Sequence, residues 1–305
     1  MDNSSGAHGT SAVRVSGLTK TYGTQQVLRG VDLDIAVGET YALLGPNGAG
    51  KSTTIEVFEG IRRGDTGSVR VLGVDPLTAP RQWRSRVGIV AQSTGDLGPF
   101  TPRELIGYFG SLATAPRGVD EVLELVGLTA HAGKRAAKLS GGQQRRLDVA
   151  LGIVGRPEVL FLDEPTTGFD PEARHQFWDM IAGLSAEGTS ILLTTHYLDE
   201  AAQLADRVGV LSGGRIVAEA TPELLGGAEA RVPVVRWRDV NGDWCEERTE
   251  QPGELVGRLC AEARTAGLAG GEPEGLEVRR PSLEDIYLGL IAADETERAA
   301  AEAQR

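Results

Sequence analysis

Gly45, Pro46, Asn47, Gly48, Ala49, Gly50, Lys51, Ser52 and Thr53 spell GPNGAGKST, three glycines ahead of a lysine and two hydroxyls. Glycines let a loop turn its backbone N–H groups around a phosphate. The lysine adds a point charge for the terminal phosphates, and the Ser52 hydroxyl suits Mg²⁺. Farther on, VLFLDEP ends an apolar run on Asp163 and Glu164. Carboxylates there are costly unless a cation or substrate uses them. Asp163 suits Mg²⁺, directly or through water, and Glu164 suits the role of general base on an attacking water. Gln92, after VGIVA, could touch both Mg²⁺ and that water with the two ends of its amide. His196, after LLTT, could hold a phosphate or orient Glu164; read alone, each is more often a satisfied polar residue at a strand end, and it is their order with the other motifs that changes that reading. Last, LSGGQQRR (139–146) sets Ser140, Gly141 and Gly142 at an expected helix start, where free N–H groups and about half a positive charge invite an anion. A second anion cradle in one chain raises the question of whose phosphate it holds.

These groups need a scaffold that presents them from loops. VRVSGL and VDLDI, between 13 and 44, predict strands of an antiparallel patch leading into the buried strand TYALLG. KSTTIEVFEG predicts a short helix closed by Gly60, so the first cradle has strand, loop and helix in the order of a P-loop. GSVRVLG and VGIVAQ predict further short strands. Residues 101–155 predict an inserted helical subdomain, from the helical spacing of TPRELIGYFGSLA and VDEVLELVGL to the helix opened by LSGGQ. Then EVLFLDEP, a helix from 171 to about 185, SILLTTH, a helix at 198–205 and RVGVL alternate, predicting a mostly parallel, helix-covered sheet. The fold class is therefore α/β, with the cassette expected over 13–225 after a disordered residues 1–12. A small α+β domain is expected over 226–292, its two strand-like runs meeting at the type I′ dipeptide Asn241-Gly242 and its helices at GELVGRLCAEARTAGL and SLEDIYLGLIA. Residues 293–305 are expected as a flexible tail, a frayed helix or disordered.

The chain has 305 residues and a formal net charge of −12, which argues against non-specific neutralisation of nucleic-acid phosphates, so no nucleic-acid partner is expected. Lysine occurs only at 20, 51, 134 and 138, and one of the four sits in the cradle. Cys245 and Cys260 lack metal-ligand spacing and read as reduced packing residues of a cytoplasmic protein. No apolar run approaches the ~20 residues that cross a bilayer. Membrane contact would come through a partner.

Tyr22, Gly45 to Ser52, Gln92, Leu139 to Gln143, Asp163, Glu164, Asp170 and His196 stand in the order of the ATP-binding cassette (ABC) ATPases, and the chain resembles that family over about residues 13–220. The resemblance implies that adenine stacks on Tyr22, that ATP and Mg²⁺ are the ligands, and that Ser140, Gly141, Gly142 and Gln143 grip ATP held by a second copy of the chain. It also implies that GFDP is the D-loop, with Asp170 reaching across the interface; Phe169 stands where leucine is usual. Residues 93–109 would form a groove for a helix of a separate polytopic membrane permease, with Phe100, Leu105 and Phe109 as apolar lining or, equally, as subdomain core. RRPSLEDIYLGLI (279–291) resembles the close of drug-resistance and antibiotic exporter subunits of the daunorubicin-exporter-like ABC-2 type. A homodimeric exporter ATPase, peripheral on the cytoplasmic face of the membrane, is the expectation. The alternatives are a soluble ABC ATPase acting on ribosome or DNA, which a pull-down would reveal, and a cassette that holds ATP without splitting it, which the presence of Glu164, Gln92 and His196 opposes.

Overall fold

A computed structural model of the protein describes residues 11–91, 98–239, 241–268 and 270–303. The chain divides into a larger unit ending at Pro222 and a smaller one beginning at Glu223. Along the larger unit run β1 (Ser11–Tyr22), β2 (Gln25–Ala36), β3 (Thr40–Leu44), α1 (Lys51–Phe58), β4 (Thr66–Val71), α2 (Arg81–Arg84) and β5 (Val87–Val90). There follow α3 (Pro102–Gly110), α4 (Val119–Leu125), α5 (Gly141–Ile153), β6 (Val159–Asp163), α6 (Pro171–Ala186), β7 (Ser190–Thr195), α7 (Leu198–Leu204), β8 (Arg207–Ser212) and β9 (Arg215–Ala220). β1 starts two residues before the expected boundary at 13, and Ala12 is fully buried in the core.

The central sheet has the order β5-β6-β7-β3-β8-β9. All its pairs are parallel except β8 with β9. β3, β6 and β7 are buried at every position, because a parallel sheet covered on both faces has no solvent side and its strands read as continuous apolar runs. The strand ends of β3, β5, β6 and β7 release the loops that carry the phosphate cradle, Gln92, Glu164 and His196; residues 92–97, Gln92 among them, lie outside the described residues. Beside this sheet β2-β1-β4 forms an antiparallel sheet, and one core joins the two through Leu18, Ile35, Tyr41, Phe58 and Phe161. α3, α4 and the first part of α5 form the helical insertion.

In the smaller unit β10 (Val234–Arg238), β11 (Trp244–Arg248) and β12 (Glu277–Arg279) make a sheet of order β11-β10-β12, with α8 (Pro252–Thr265) packing Leu255 and Leu259 on Val235. The hairpin between β10 and β11 is present, but its turn is not a two-residue one. Arg238 pairs with Trp244, and the Asp239 carboxylate accepts from the N–H of Asn241 (2.8 Å) and Asp243 (2.9 Å), which wraps the connection around one side chain. Residues 293–303, expected as a frayed helix or disordered, belong to α9 (Leu283–Ala303), helped by alanines and by an Arg298–Asp294 pair at 2.9 Å one turn apart.

Candidate functional site

The cradle follows from how β3 ends. Gly45 leaves the strand where a Cβ would lie 2.5 Å from the Leu211 carbonyl oxygen, and Gly50 starts α1 at φ 109° with its own Cβ position 2.6 Å from Leu28. These glycines are therefore demanded by the chain itself. The loop they allow leaves the backbone N–H groups of Gly48, Gly50, Lys51 and Ser52 without an acceptor among the described residues, and α1 has no side-chain cap. Unpaired donors converging at a helix start form an anion site. The buried Lys51 ammonium donates to the carbonyls of Gly45 (2.7 Å) and Pro46 (3.4 Å). Burial pulls its pKa down, and Glu164 and Asp163 oppose that shift. Pro46 and Asn47 are exposed on the rim, Ala49 is buried, and the Ser52 hydroxyl is exposed at the first turn, ahead of Thr53.

Across the sheet, β6 delivers the two carboxylates. Asp163 is buried and accepts from the Thr194 hydroxyl at 2.5 Å. Glu164 has φ 46°, a left-handed backbone that a side chain adopts only under constraint. Its N–H donates to the carbonyl and hydroxyl oxygens of Thr194, both at 3.1 Å. The turn aims its carboxylate at Lys51 (3.8 Å) and at His196 Nδ1 (3.5 Å), and the Thr167 hydroxyl donates to it at 3.4 Å. Lys51, Glu164 and His196, from three separate loops, are thus brought together. Near Asp163, at the C-terminal end of α1, burial first and the charges of Asp163 and Glu56 next push the Glu59 carboxyl up to about 7.

Tyr22 ends β1 with its ring partly exposed, Arg62 at 5.1 Å and Lys20 at 5.6 Å from the ring centre. Asp170 is the N-cap of α6, accepting from the Ala173 N–H at 2.8 Å. Phe169 beside it is buried edge-on against Phe177, so the exchange of leucine for phenylalanine is absorbed inside.

The second cradle differs from the first. Ser140 caps α5 through a reciprocal box, its hydroxyl accepting from Gln143 N–H (3.3 Å) and Gln143 Oε1 accepting from Ser140 N–H (3.1 Å). Gln143 Nε2 lies 2.8 Å from His131 Nε2. The N–H groups of Gly141 and Gly142 find no acceptor among the described residues. Neither glycine has a positive φ, and a Cβ on either would meet nothing within 4 Å. Within its own chain, alanine would fit at both. Among the described residues, no hydrogen bond or ion pair joins 45–53 to 139–143.

Of the expected apolar lining, Leu105 is buried in the helical insertion and is no part of a surface, because it sits on the inward stripe of α3 with Ile106. Phe100 (54% exposed) and Phe109 stand out, with Tyr108 and Leu112. The residue that sequence reading missed is Arg145. It lies in LSGGQQRR, where an arginine on a polar helix reads as solvated, yet it is buried and bonded to the backbone beneath both carboxylates. A buried partner, Glu200 of α7, was equally illegible; Thr195, Thr166 and Trp178 surround it, and burial raises its pKa.

Residues 28–167 match the family described as ABC transporter. The daunorubicin resistance ATP-binding protein DrrA2 of Streptomyces coeruleorubidus is 37% identical over 92% of this chain and 94% of its own. The Nod factor export ATP-binding protein I of Rhizobium meliloti (strain 1021) is 37% identical over 95% of this chain and 90% of its own. The structure of an ATP-binding subunit of an ABC transporter superposes with a TM-score of 0.67 at 23% identity, over 92% of this chain and 99% of that one, a likeness of fold. An ATP-binding cassette of an ABC transporter in its ADP conformation gives a TM-score of 0.61 at 26% identity, over 69% of this chain and 91% of that one.

Proposed function

Because this chain belongs to the ATP-binding proteins of ABC transporters, we propose that two copies of it close head to tail around two ATP molecules, hydrolyse them, and thereby drive a separate membrane permease. The observation that carries the reading is the second cradle. Its two glycines are required by nothing in their own chain and its N–H groups are unspent, so the close approach they permit belongs to a phosphate from outside.

In each site the loop 45–50 and the first turn of α1 wrap the phosphates, and Lys51 exchanges the carbonyls of Gly45 and Pro46 for the terminal phosphates. Tyr22 stacks the adenine. Glu164 accepts the proton of the attacking water as it adds to the γ-phosphorus, with ADP as leaving group, and His196 holds Glu164 or the phosphate in line. Among the described residues no cluster of three or more His, Cys, Asp or Glu is placed to hold a metal alone. That suits Mg²⁺, which takes one or two protein ligands and completes its shell with phosphate and water. Ser52 and Asp163, with Gln92, would hold it, and it would neutralise charge on the phosphates. Ser140, Gly141, Gly142 and Gln143 of one copy close on the γ-phosphate of the other, and Asp170 lies at the same interface. Loss of phosphate removes the attraction and the pair opens.

No helix among the described residues is long and apolar enough to cross a membrane, so the work is delivered to another subunit. The exposed Phe100, Tyr108, Phe109 and Leu112 are the apolar side chains of this segment that a cytoplasmic helix of that permease would cover, Tyr108 and Phe109 lying edge to face. The relatives named for daunorubicin resistance and Nod factor export support an exporter of a drug, antibiotic or lipid-like compound, working at the cytoplasmic face of the membrane. The test is Glu164→Gln at saturating Mg-ATP. Slowed hydrolysis should trap a dimer by size-exclusion chromatography with light scattering; monomers alone would refute the sandwich. A pull-down recovering ribosomes or DNA in place of a polytopic membrane protein would refute the transport role.

A further inference from the structure

Arg145 is the fifth residue of α5, one and a half turns beyond the Ser140 cap. Its guanidinium is buried and meets four carbonyl oxygens. Nε donates to Pro165 (3.0 Å), Nη2 to Asp163 (2.7 Å) and Glu164 (3.3 Å), and Nη1 to Ala91, with the Asp148 carboxylate 3.9 Å from Nη1. Three of those carbonyls are consecutive and belong to the turn in which Glu164 is left-handed. Such a turn persists only where its surroundings over-determine it. Thr194 holds its N–H side, and Arg145 holds its carbonyl side. With the carbonyls drawn toward α5, the Glu164 carboxylate is turned the other way, toward Lys51 and His196. The fourth carbonyl belongs to Ala91, the residue after β5 and the last described one before Gln92 in the sequence. A planar fork with five N–H donors can serve four acceptors at once; an ammonium cannot.

We propose that Arg145 is a positioning residue for the catalytic carboxylate, tying the backbone of residues 163–165 to the helix that begins at Ser140, so that the turn meeting one nucleotide and the carboxylate serving the other move as one body. The inference rests on the shared-nucleotide reading for its second half only. Binding of nucleotide to a single copy uses residues 45–53 and Tyr22, none of which Arg145 touches.

The experiment is a double-mutant cycle on the full chain with Arg145→Lys, Glu164→Gln and the pair. We would measure single-turnover ATP hydrolysis, binding of a fluorescent ATP analogue and the melting temperature. Arg145→Lys should lower the hydrolysis rate at least tenfold with the analogue Kd within threefold of wild type. In the Glu164→Gln background the same substitution should change the residual rate by less than twofold, because a residue acting through Glu164 has nothing left to position. A rate within twofold of wild type in Arg145→Lys would overturn the proposal, as charge alone would suffice. Equal losses in both backgrounds, or a parallel loss of binding and cooperative melting, would also overturn it by making Arg145 a support of the fold. The Glu164→Gln dimer, read separately by light scattering, tests the shared-nucleotide reading without involving Arg145.

Discussion

Replacing Gly141 and Gly142 together by alanine should move stability and activity in opposite directions. Both positions lie in the first turn of α5 with ordinary negative φ, and an added Cβ at either would meet no atom within 4 Å. Gly→Ala at a compatible site stabilises by about 0.4–1 kcal/mol, chiefly by narrowing the unfolded ensemble. Two such changes give about 1–2 kcal/mol, or a rise of about 2–8 °C in melting temperature for a unit of this size. The same methyl groups would stand where the partner's γ-phosphate must approach to within about 3 Å of the N–H donors, and loss of one such donor costs about 10²–10³ in rate. Thermal melts without nucleotide and steady-state ATP turnover form the assay, with Gly45→Ala as the contrast. There the Cβ would overlap the Leu211 carbonyl at 2.5 Å, so stability itself should fall, by about 1–3 kcal/mol. A double alanine variant that melts lower, or that turns over within twofold of wild type, would refute the claim that these glycines serve a ligand outside their own chain.

Glu59→Gln should stabilise the protein in a pH-dependent way. The folded carboxyl titrates near 7 against 4.5 unfolded, so the folded state keeps the extra proton and stability falls as pH rises from 4.5 to 7, by up to about 3 kcal/mol. The variant, which mimics the protonated form, should therefore match wild type near pH 4.5 and gain several degrees above pH 7; an equal gain at both pH values would contradict the assignment. Lys51→Met should abolish ATP turnover yet leave the ligand-free melting temperature unchanged or higher, because a buried ammonium whose pKa burial depresses contributes little to the fold. A large drop in melting temperature would assign the lysine a structural role instead.

The candidate site was legible because its residues are ones the fold alone would not select. A lysine after three glycines in a chain with four lysines, and paired carboxylates ending a strand as apolar as VLFLD, have no good use in a core. The alternation of elements after 139 also came through, since buried parallel strands are unbroken apolar runs. What stayed hidden depends on distant partners. Arg145 and Glu200 look like solvated helix residues, and only packing against the 163–166 loop makes them internal. Leu105 and Phe109 share one short helix, and the side facing the insertion's core depends on α4 and α5. At Asn241-Gly242 the dipeptide rule lost to Asp239, whose carboxylate offered the backbone a wider turn.

If Lys51 meets the terminal phosphates and Glu164 is the general base, as proposed, the position of Lys51 would link substrate entry to the arming of Glu164. The ammonium has two kinds of partner, the loop carbonyls and a carboxylate at 3.8 Å. Two unit charges at that separation attract by about 4 kcal/mol at an effective dielectric of 20, a contact that would hold Glu164 toward the cradle and away from a water. A triphosphate brings several negative charges to the same ammonium along with the N–H groups of 48 to 52, and it outbids one carboxylate. Glu164 would then be left with His196 and Thr167 at its Oε2, and its Oε1 would be released from the cation. On the proposed reading the base would become available only after the phosphates have taken its counter-ion, so binding and readiness for hydrolysis would arise from one exchange of partners.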